Sequence, residues 1–137
     1  MNVLVDTPIW SLALRRRRAD LNQLESALVT SLAVLIQTRR VQILGAVRQE
    51  LLSGIREEEQ FRRIRDDLRE FPDSELLMDD YEEAARMSNA CRQKGIAGSP
   101  TDLLMCAVAF RRRWQIFTTD RDFDLYRRVV DFELFTT

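Results

Sequence analysis

Asp6, Glu50, Asp102 and Asp120 are the residues of this 137-residue chain whose types and placement point to chemistry, and the chemistry is that of a hard divalent cation. Val3-Leu4-Val5 runs straight into Asp6, and Gln115-Ile116-Phe117 runs through Thr118-Thr119 into Asp120. In parallel α/β sheets, ligands collect beyond the carboxyl ends of the strands. Glu50 stands in a short helical segment behind a second apolar strand, and Asp102 in the first turn of the most apolar helical stretch. Carboxylates gathered at one sheet edge repel one another, and a divalent ion relieves the repulsion. Oxygen-only donors select Mg²⁺ or Mn²⁺ over zinc. Such an ion lowers the pKa of a bound water and offsets charge on a phosphoryl oxygen.

Each acid also has an ordinary duty open to it. Asp6 can cap the helix that Pro8 begins, Glu50 can be a solvated helix residue, Asp102 can face the helix dipole, and Asp120 can hold a turn. Asp122 reads as a supporting or capping group and Asp124 as solvent-facing. Asp66, Asp67, Asp79 and Asp80 read as helix-surface acids or caps.

Composition narrows the choice. The chain has no histidine, which removes Ser-His-Asp and Cys-His machinery, histidine acid–base cleavage and imidazole zinc sites. Cys91 and Cys106 both lie in apolar helical patterns and read as buried free thiols. The net charge is −1, but Lys94 is the lone lysine and the other basic residues are arginines. Those cluster at Arg15, Arg16, Arg17 and Arg18, at Arg111 to Arg113, and at Arg127 with Arg128. Such clusters suit forked contacts to phosphate, or equally the solvated ends of helices. The amino-terminal stretch carries Asp6 and is followed by arginines, unlike a secretory signal. No apolar run approaches the roughly 20 residues of a membrane helix. The expectation is a soluble, cytoplasmic protein folded as a single domain over residues 1–137.

The elements that must position these acids follow from hydrophobic spacing. Strands are expected at Met1 to Val5, Val41 to Leu44, Glu75 to Met78, Trp114 to Phe117 and near Val129 to Leu134. Helices are expected from about Asp20 to Arg39, Ala46 to Ser53, Glu57 to Phe71, Asp79 or Asp80 to Gly95, Thr101 to Arg113, and Arg121 to Arg128, with a further one started by Pro8. The helix after Pro100 is apolar nearly all round and should be central. Short apolar strands alternating with helices give an α/β/α sandwich around a short parallel sheet.

Taken together, four segments resemble a known family. V-L-V-D-T-P-I-W at 3–10, R-Q-E-L-L-S-G at 48–54, G-S-P-T-D-L-L-M-C-A-V-A at 98–109 and T-T-D-R-D-F at 118–123 are similar, in order and spacing, to the acidic motifs of PIN domains, and closest to VapC-type toxins. The resemblance implies a Mg²⁺- or Mn²⁺-dependent endoribonuclease, with Asp6, Glu50, Asp102 and Asp120 coordinating the metal and an ion-activated water attacking RNA. It further implies polar support from Thr7 and Thr119, homodimerisation, and neutralisation by a small antitoxin that often presents an arginine to the acids. Arg15, Arg16, Arg17 and Arg18 are candidate RNA contacts, and the exposed part of the segment from Trp10 to Leu14 is a candidate antitoxin contact, with core packing an equal reading of Trp10 and Leu12. Pro8 departs mildly from the family pattern.

Other readings stand beside this one. A catalytically silent PIN-like binding module, or a DNA-directed nuclease with the same acids, would share the pattern. A receiver-type module would need paired acids at the first strand and a lysine ending the fifth. A haloacid-type phosphatase would need Asp-x-Asp where this chain has Asp6-Thr7-Pro8.

Overall fold

In the computed structural model, which describes residues 1–137, strand β1 (Val3–Val5) is wholly buried and ends at Asp6, which caps helix α1 (Thr7–Leu14). Pro8 sits in the first turn of α1, where its missing N–H removes no helical bond. A 3₁₀ turn at Arg18–Asp20 leads to α2 (Gln23–Gln37). A capping box sets that start: Asn22 accepts from Glu25 N, and Glu25 accepts from Asn22 N in return. Next come β2 (Val41–Gln42), α3 (Gly45–Ser53) and α4 (Glu58–Leu68), then α5 (Met78–Gln93), α6 (Pro100–Arg112), β3 (Gln115–Phe117), α7 (Asp122–Tyr126) and β4 (Glu133–Leu134).

The sheet is four-stranded and wholly parallel, in the order β2-β1-β3-β4. Together with the helices it forms the expected α/β/α arrangement. Its register pairs Val5 with Phe117, so the two residues that follow, Asp6 and Thr118, emerge side by side at the carboxyl edge. Helix α6 buries every residue from Leu103 to Ala109, as its all-round apolarity requires, and packs along α5 and β3.

Several expectations need correction. No strand forms over Glu75 to Met78; the chain there meets the sheet at one bridge, Ile43 with Asp73, and Met78 already begins α5. The strands are shorter than their apolar runs. Ile43 and Leu44 are buried by packing beyond the end of β2, and Val129 to Phe132 precede the two paired residues of β4. Of the two readings of Trp10 the core one holds: it is 1% exposed, its indole N–H donating to Val5 O. Of the two readings of Asp80 the cap holds and the surface acid does not: its Oδ2 accepts from Leu77 N at the start of α5, and it is fully buried against α6.

Two helices enter strands through arginines in the left-handed region, Arg39 (φ 57°) after α2 and Arg113 (φ 58°) after α6. That conformation costs a β-carbon-bearing residue about 1–2 kcal/mol, while glycine adds about 0.5–1 kcal/mol of unfolded-chain entropy. Arg39 is exposed. Arg39→Gly is therefore expected to stabilise the fold by about 0.5–1 kcal/mol, read as a higher urea midpoint at unchanged slope.

Candidate metal centre

The side-by-side exit of β1 and β3 builds the centre. Asp6 N donates to Phe117 O at 2.9 Å, and Thr118 Oγ1 donates to Asp6 Oδ2 at 2.8 Å. Thr118 Oγ1 also accepts from Asp120 N at 3.0 Å, so one hydroxyl links the acid after β1 to the turn after β3. The other Asp6 oxygen accepts from Thr7 N at 2.8 Å. Asp6 thus caps α1 and faces the sheet edge at once, and it is 5% exposed.

Asp102 reaches the same edge from α6. Ser99 caps that helix by accepting from Asp102 N at 3.1 Å, and Pro100 follows in its first turn. The Asp102 carboxylate is half-buried and accepts from Tyr126 Oη at 2.8 Å. Asp120 and Asp122, both exposed, complete a cluster with it: each of the three offers a carboxylate oxygen, and these lie within 4.8 Å of one another. Asp120 Oδ1 accepts from Asp122 N at 2.9 Å, which turns α7 toward Asp102. Glu50, exposed on α3, is close enough for its charge to act on Asp6.

The electrostatics follow from this crowding. Burial, partly opposed by hydrogen bonds from Thr118 and Thr7 and reinforced by the charges of Asp102 and Glu50, pushes the Asp6 carboxyl from an ordinary 3.8 up to about 6. Asp102 is also raised, by burial first and by Asp120 and Asp122 in addition, against hydrogen bonds from Tyr126 and Ser99. No arginine or lysine forms an ion pair with Asp6, Glu50, Asp102, Asp120 or Asp122. Thr7 Oγ1, beside Asp6, is buried without a hydrogen-bond partner, so Thr7 supports Asp6 through its backbone N–H alone. An uncompensated, oxygen-only donor set fits a hard divalent cation. Cys91 and Cys106 are buried thiols whose pKa values burial raises, so neither offers a thiolate.

The family model of the PIN domain matches residues 3–129. The chain belongs to the PIN domain family. No curated protein matches it. Among solved structures, FitAcB from Neisseria gonorrhoeae superposes with a TM-score of 0.75 at 17% identity, over 98% of this chain and 96% of that one. VapBC2 from Rickettsia felis, solved bound to a DNA fragment from their promoter, superposes with a TM-score of 0.72 at 17% identity, over 98% of each chain. These likenesses are likenesses of fold. This PIN domain has no helix long and apolar enough to cross a membrane.

The structure thus gathers Asp102 and Asp120 within ligand reach of one another and adds Asp122, expected only as support, to that group; Asp6 stands at the same sheet edge, linked to the Asp120 turn through Thr118, while Asp6 and Glu50 lie outside the ligand-distance group. The supporting hydroxyl is that of Thr118; Thr119 is exposed and makes no side-chain hydrogen bond. The strand register decides between them, because Thr118 stands opposite Asp6. Tyr126 carried no signal in the sequence that set it apart from core packing. Arg111 and Arg112 are engaged by Asp80 and do not form a free basic patch.

The four arginines after α1 are all exposed, but they do not form one uniform basic strip. Arg15 Nη2 reaches Gly54 O, at the end of the helix that bears Glu50, at 3.5 Å. Arg16 turns instead toward α2: its Nη1 lies 3.6 Å from Glu25 Oε2, and its Nη2 donates to Asp20 O at 3.4 Å. Arg18 Nη2 donates to Thr30 Oγ1 at 3.1 Å, also on α2. Arg17 precedes the 3₁₀ turn, where its carbonyl accepts from Asp20 N, and its guanidinium forms neither an ion pair nor a hydrogen bond. The expected RNA contacts therefore divide. Arg15 reaches the carboxyl end of α3, Arg17 is free, and Arg16 and Arg18 serve the α1–α2 connection, because an acid and a hydroxyl of α2 lie within their reach.

Proposed function

We propose that this PIN domain is a Mg²⁺- or Mn²⁺-dependent endoribonuclease and the toxin of a toxin–antitoxin pair. The observation that carries the reading is the group of acids at the carboxyl edge of the sheet with no basic side chain paired to any of them. A divalent ion held by these acids would supply an activated water for hydrolysis of a phosphodiester and charge to offset the phosphoryl oxygens. Asp6 and Asp102 are the principal ligands in this reading, with Asp120, Asp122 and Glu50 completing the shell. Thr118 holds Asp6 in place and fixes the turn that brings Asp120 forward. Asp6, raised as it is, reaches its charged form at and above neutral pH and faces a cation more readily than a proton there.

Among the arginines after α1, Arg15 and Arg17 are assigned to the RNA backbone, with Arg16 and Arg18 adding charge from the α2 side. Two copies are expected to associate, and the cognate antitoxin is expected to place an arginine against the acids, where a guanidinium replaces the ion's charge. The fold shared with FitAcB and VapBC2 supports a pairing of this kind.

The test uses purified protein and end-labelled single-stranded RNA. Cleavage is expected in Mg²⁺ or Mn²⁺, complete arrest in EDTA, and recovery when the metal is returned in excess. Equal cleavage of single-stranded DNA would move the assignment to a DNA-directed nuclease. Mn²⁺ binding without cleavage of any RNA in total cellular RNA would favour a silent binding module.

A further inference from the structure

Tyr126 is almost wholly enclosed, 1% exposed, yet its hydroxyl ends on the half-buried Asp102, donating to Oδ2 at 2.8 Å. The ring has little freedom. Phe123 packs edge-on against it, centroids 5.2 Å apart at 76°. On another side the Gly98 backbone closes in: a β-carbon at Gly98 would stand 3.2 Å from Tyr126 Cε1 and 2.1 Å from Leu103 Cδ2. Tyr126 is also four residues after Asp122 on the short α7, so its bond to α6 and the placement of Asp122 beside Asp102 depend on the same helix. A neutral hydroxyl donor fixes the rotation of a carboxylate without neutralising it, which an arginine in the same place would do.

We propose that Tyr126 is the positioning residue of the metal centre, holding Asp102 in the orientation in which it meets a divalent cation together with Asp120 and Asp122. The proposal rests on the metal-dependent reading above and assigns a residue outside the four acidic motifs. Hydrogen-bond partners one step removed from a metal orient the ligands, and losing one costs about 10–100-fold in affinity.

Mn²⁺ titration by calorimetry tests it, with wild type and Tyr126→Phe compared as full-length proteins. The variant keeps the ring and loses one oxygen. It is expected to bind Mn²⁺ about 10–100-fold more weakly, to need correspondingly more Mn²⁺ for half-maximal RNA cleavage, and to recover near wild-type rates at saturating Mn²⁺. A tyrosine that serves packing alone would leave the metal midpoint where it was. An unchanged Mn²⁺ affinity in a folded Tyr126→Phe protein overturns the proposal and leaves the nuclease reading standing, whereas a wild type that binds no Mn²⁺ overturns both. Should Tyr126→Phe fail to fold, Tyr81→Phe leaves Tyr126 as the sole tyrosine. With ring-labelled tyrosine, its resonance is expected to shift as Mg²⁺ is added, and a resonance unmoved at saturating Mg²⁺ counts against the role.

Discussion

Asp6→Asn is expected to abolish RNA cleavage and, in the same molecule, to make the metal-free fold more stable. On the proposed reading, the loss follows from removing a principal metal ligand: several kcal/mol of charge stabilisation corresponds to on the order of a thousandfold in rate. The gain follows from linkage. Burial first, with the charges of Asp102 and Glu50 in addition, raises the native Asp6 to about 6 from an ordinary 3.8. Between those values the native state binds a proton that the unfolded chain has released, so stability falls as pH rises through this window. At pH 8 the ionised carboxylate costs about 2–3 kcal/mol. The amide introduced by Asp6→Asn cannot keep both acceptor bonds, from Thr7 N and Thr118 Oγ1, so the net gain is expected at about 1–2 kcal/mol. Urea unfolding in EDTA should therefore show the variant above the wild type at pH 8 and no more stable than it near pH 4. Mn²⁺ should reverse the order, since only the wild type gains from binding, by about 2.7 kcal/mol at one hundred times its Kd. A variant that is less stable than wild type at pH 8 in EDTA would remove the electrostatic account of this site.

The second large effect lies far from the acids. Asp80 is fully buried and pairs with Arg111 Nη1 and Arg112 Nη2, while its Oδ2 also accepts from Leu77 N at 2.8 Å. Burial alone would favour the neutral acid, but the Leu77 bond and the two guanidinium groups overcome it and hold the carboxyl below its usual range. Arg112 in turn donates to Glu75 O and lies over the Trp114 ring at 5.1 Å, so one buried charge ties the start of α5 to the end of α6 and the approach to β3. Asp80→Asn keeps the shape and removes the charge, leaving two arginines facing an amide. The arginines left behind are partly exposed and keep Asp79 and Glu75 O as partners, so the loss is expected at about 1–3 kcal/mol, a fall in Tm of roughly 3–10 °C for a chain of this size. Because the native carboxyl is depressed, its stabilisation is present above the ordinary 3.8 and is lost as pH falls below that. The wild type should thus lose its advantage over Asp80→Asn in acid. RNA cleavage per folded molecule at low temperature is expected to stay at the wild-type level, and a melting point within about 2 °C of wild type would mean the network contributes little.

The contrast between these two acids shows how far the sequence carries. Asp6 and Asp80 are both aspartates at the start of a helix, and both are buried. One is raised by burial, with like charges adding to it; the other is lowered by the Leu77 N bond and two arginines that overcome its burial. Local pattern supplies only part of the difference, the Leu77 N bond to Asp80; the guanidinium groups that add to it are 31 and 32 residues away, and the hydroxyl that holds Asp6 is 112 residues away.

What the chain's linear order determined by itself was the alternation of short apolar strands with helices, the buried character of α6, the thiols without partners, and the exclusion of histidine chemistry. Each depends on residue type and near-neighbour spacing, which a periodic reading captures. The four spaced acids were legible because a strand end and a helix start have local signatures. Only the tertiary structure decided that residues 75–77 form no strand, that Trp10 is core, that Thr118 rather than Thr119 holds Asp6, and that Arg16 and Arg18 turn to α2 while Arg17 stays free. It alone joined Asp122 to Asp102 and Asp120 and brought Tyr126 to Asp102. Those outcomes depend on the register of β1 against β3 and on how α7 meets α6 and α2 meets the turn after α1. Register and packing are set by contacts between segments distant in the chain, where no spacing rule applies.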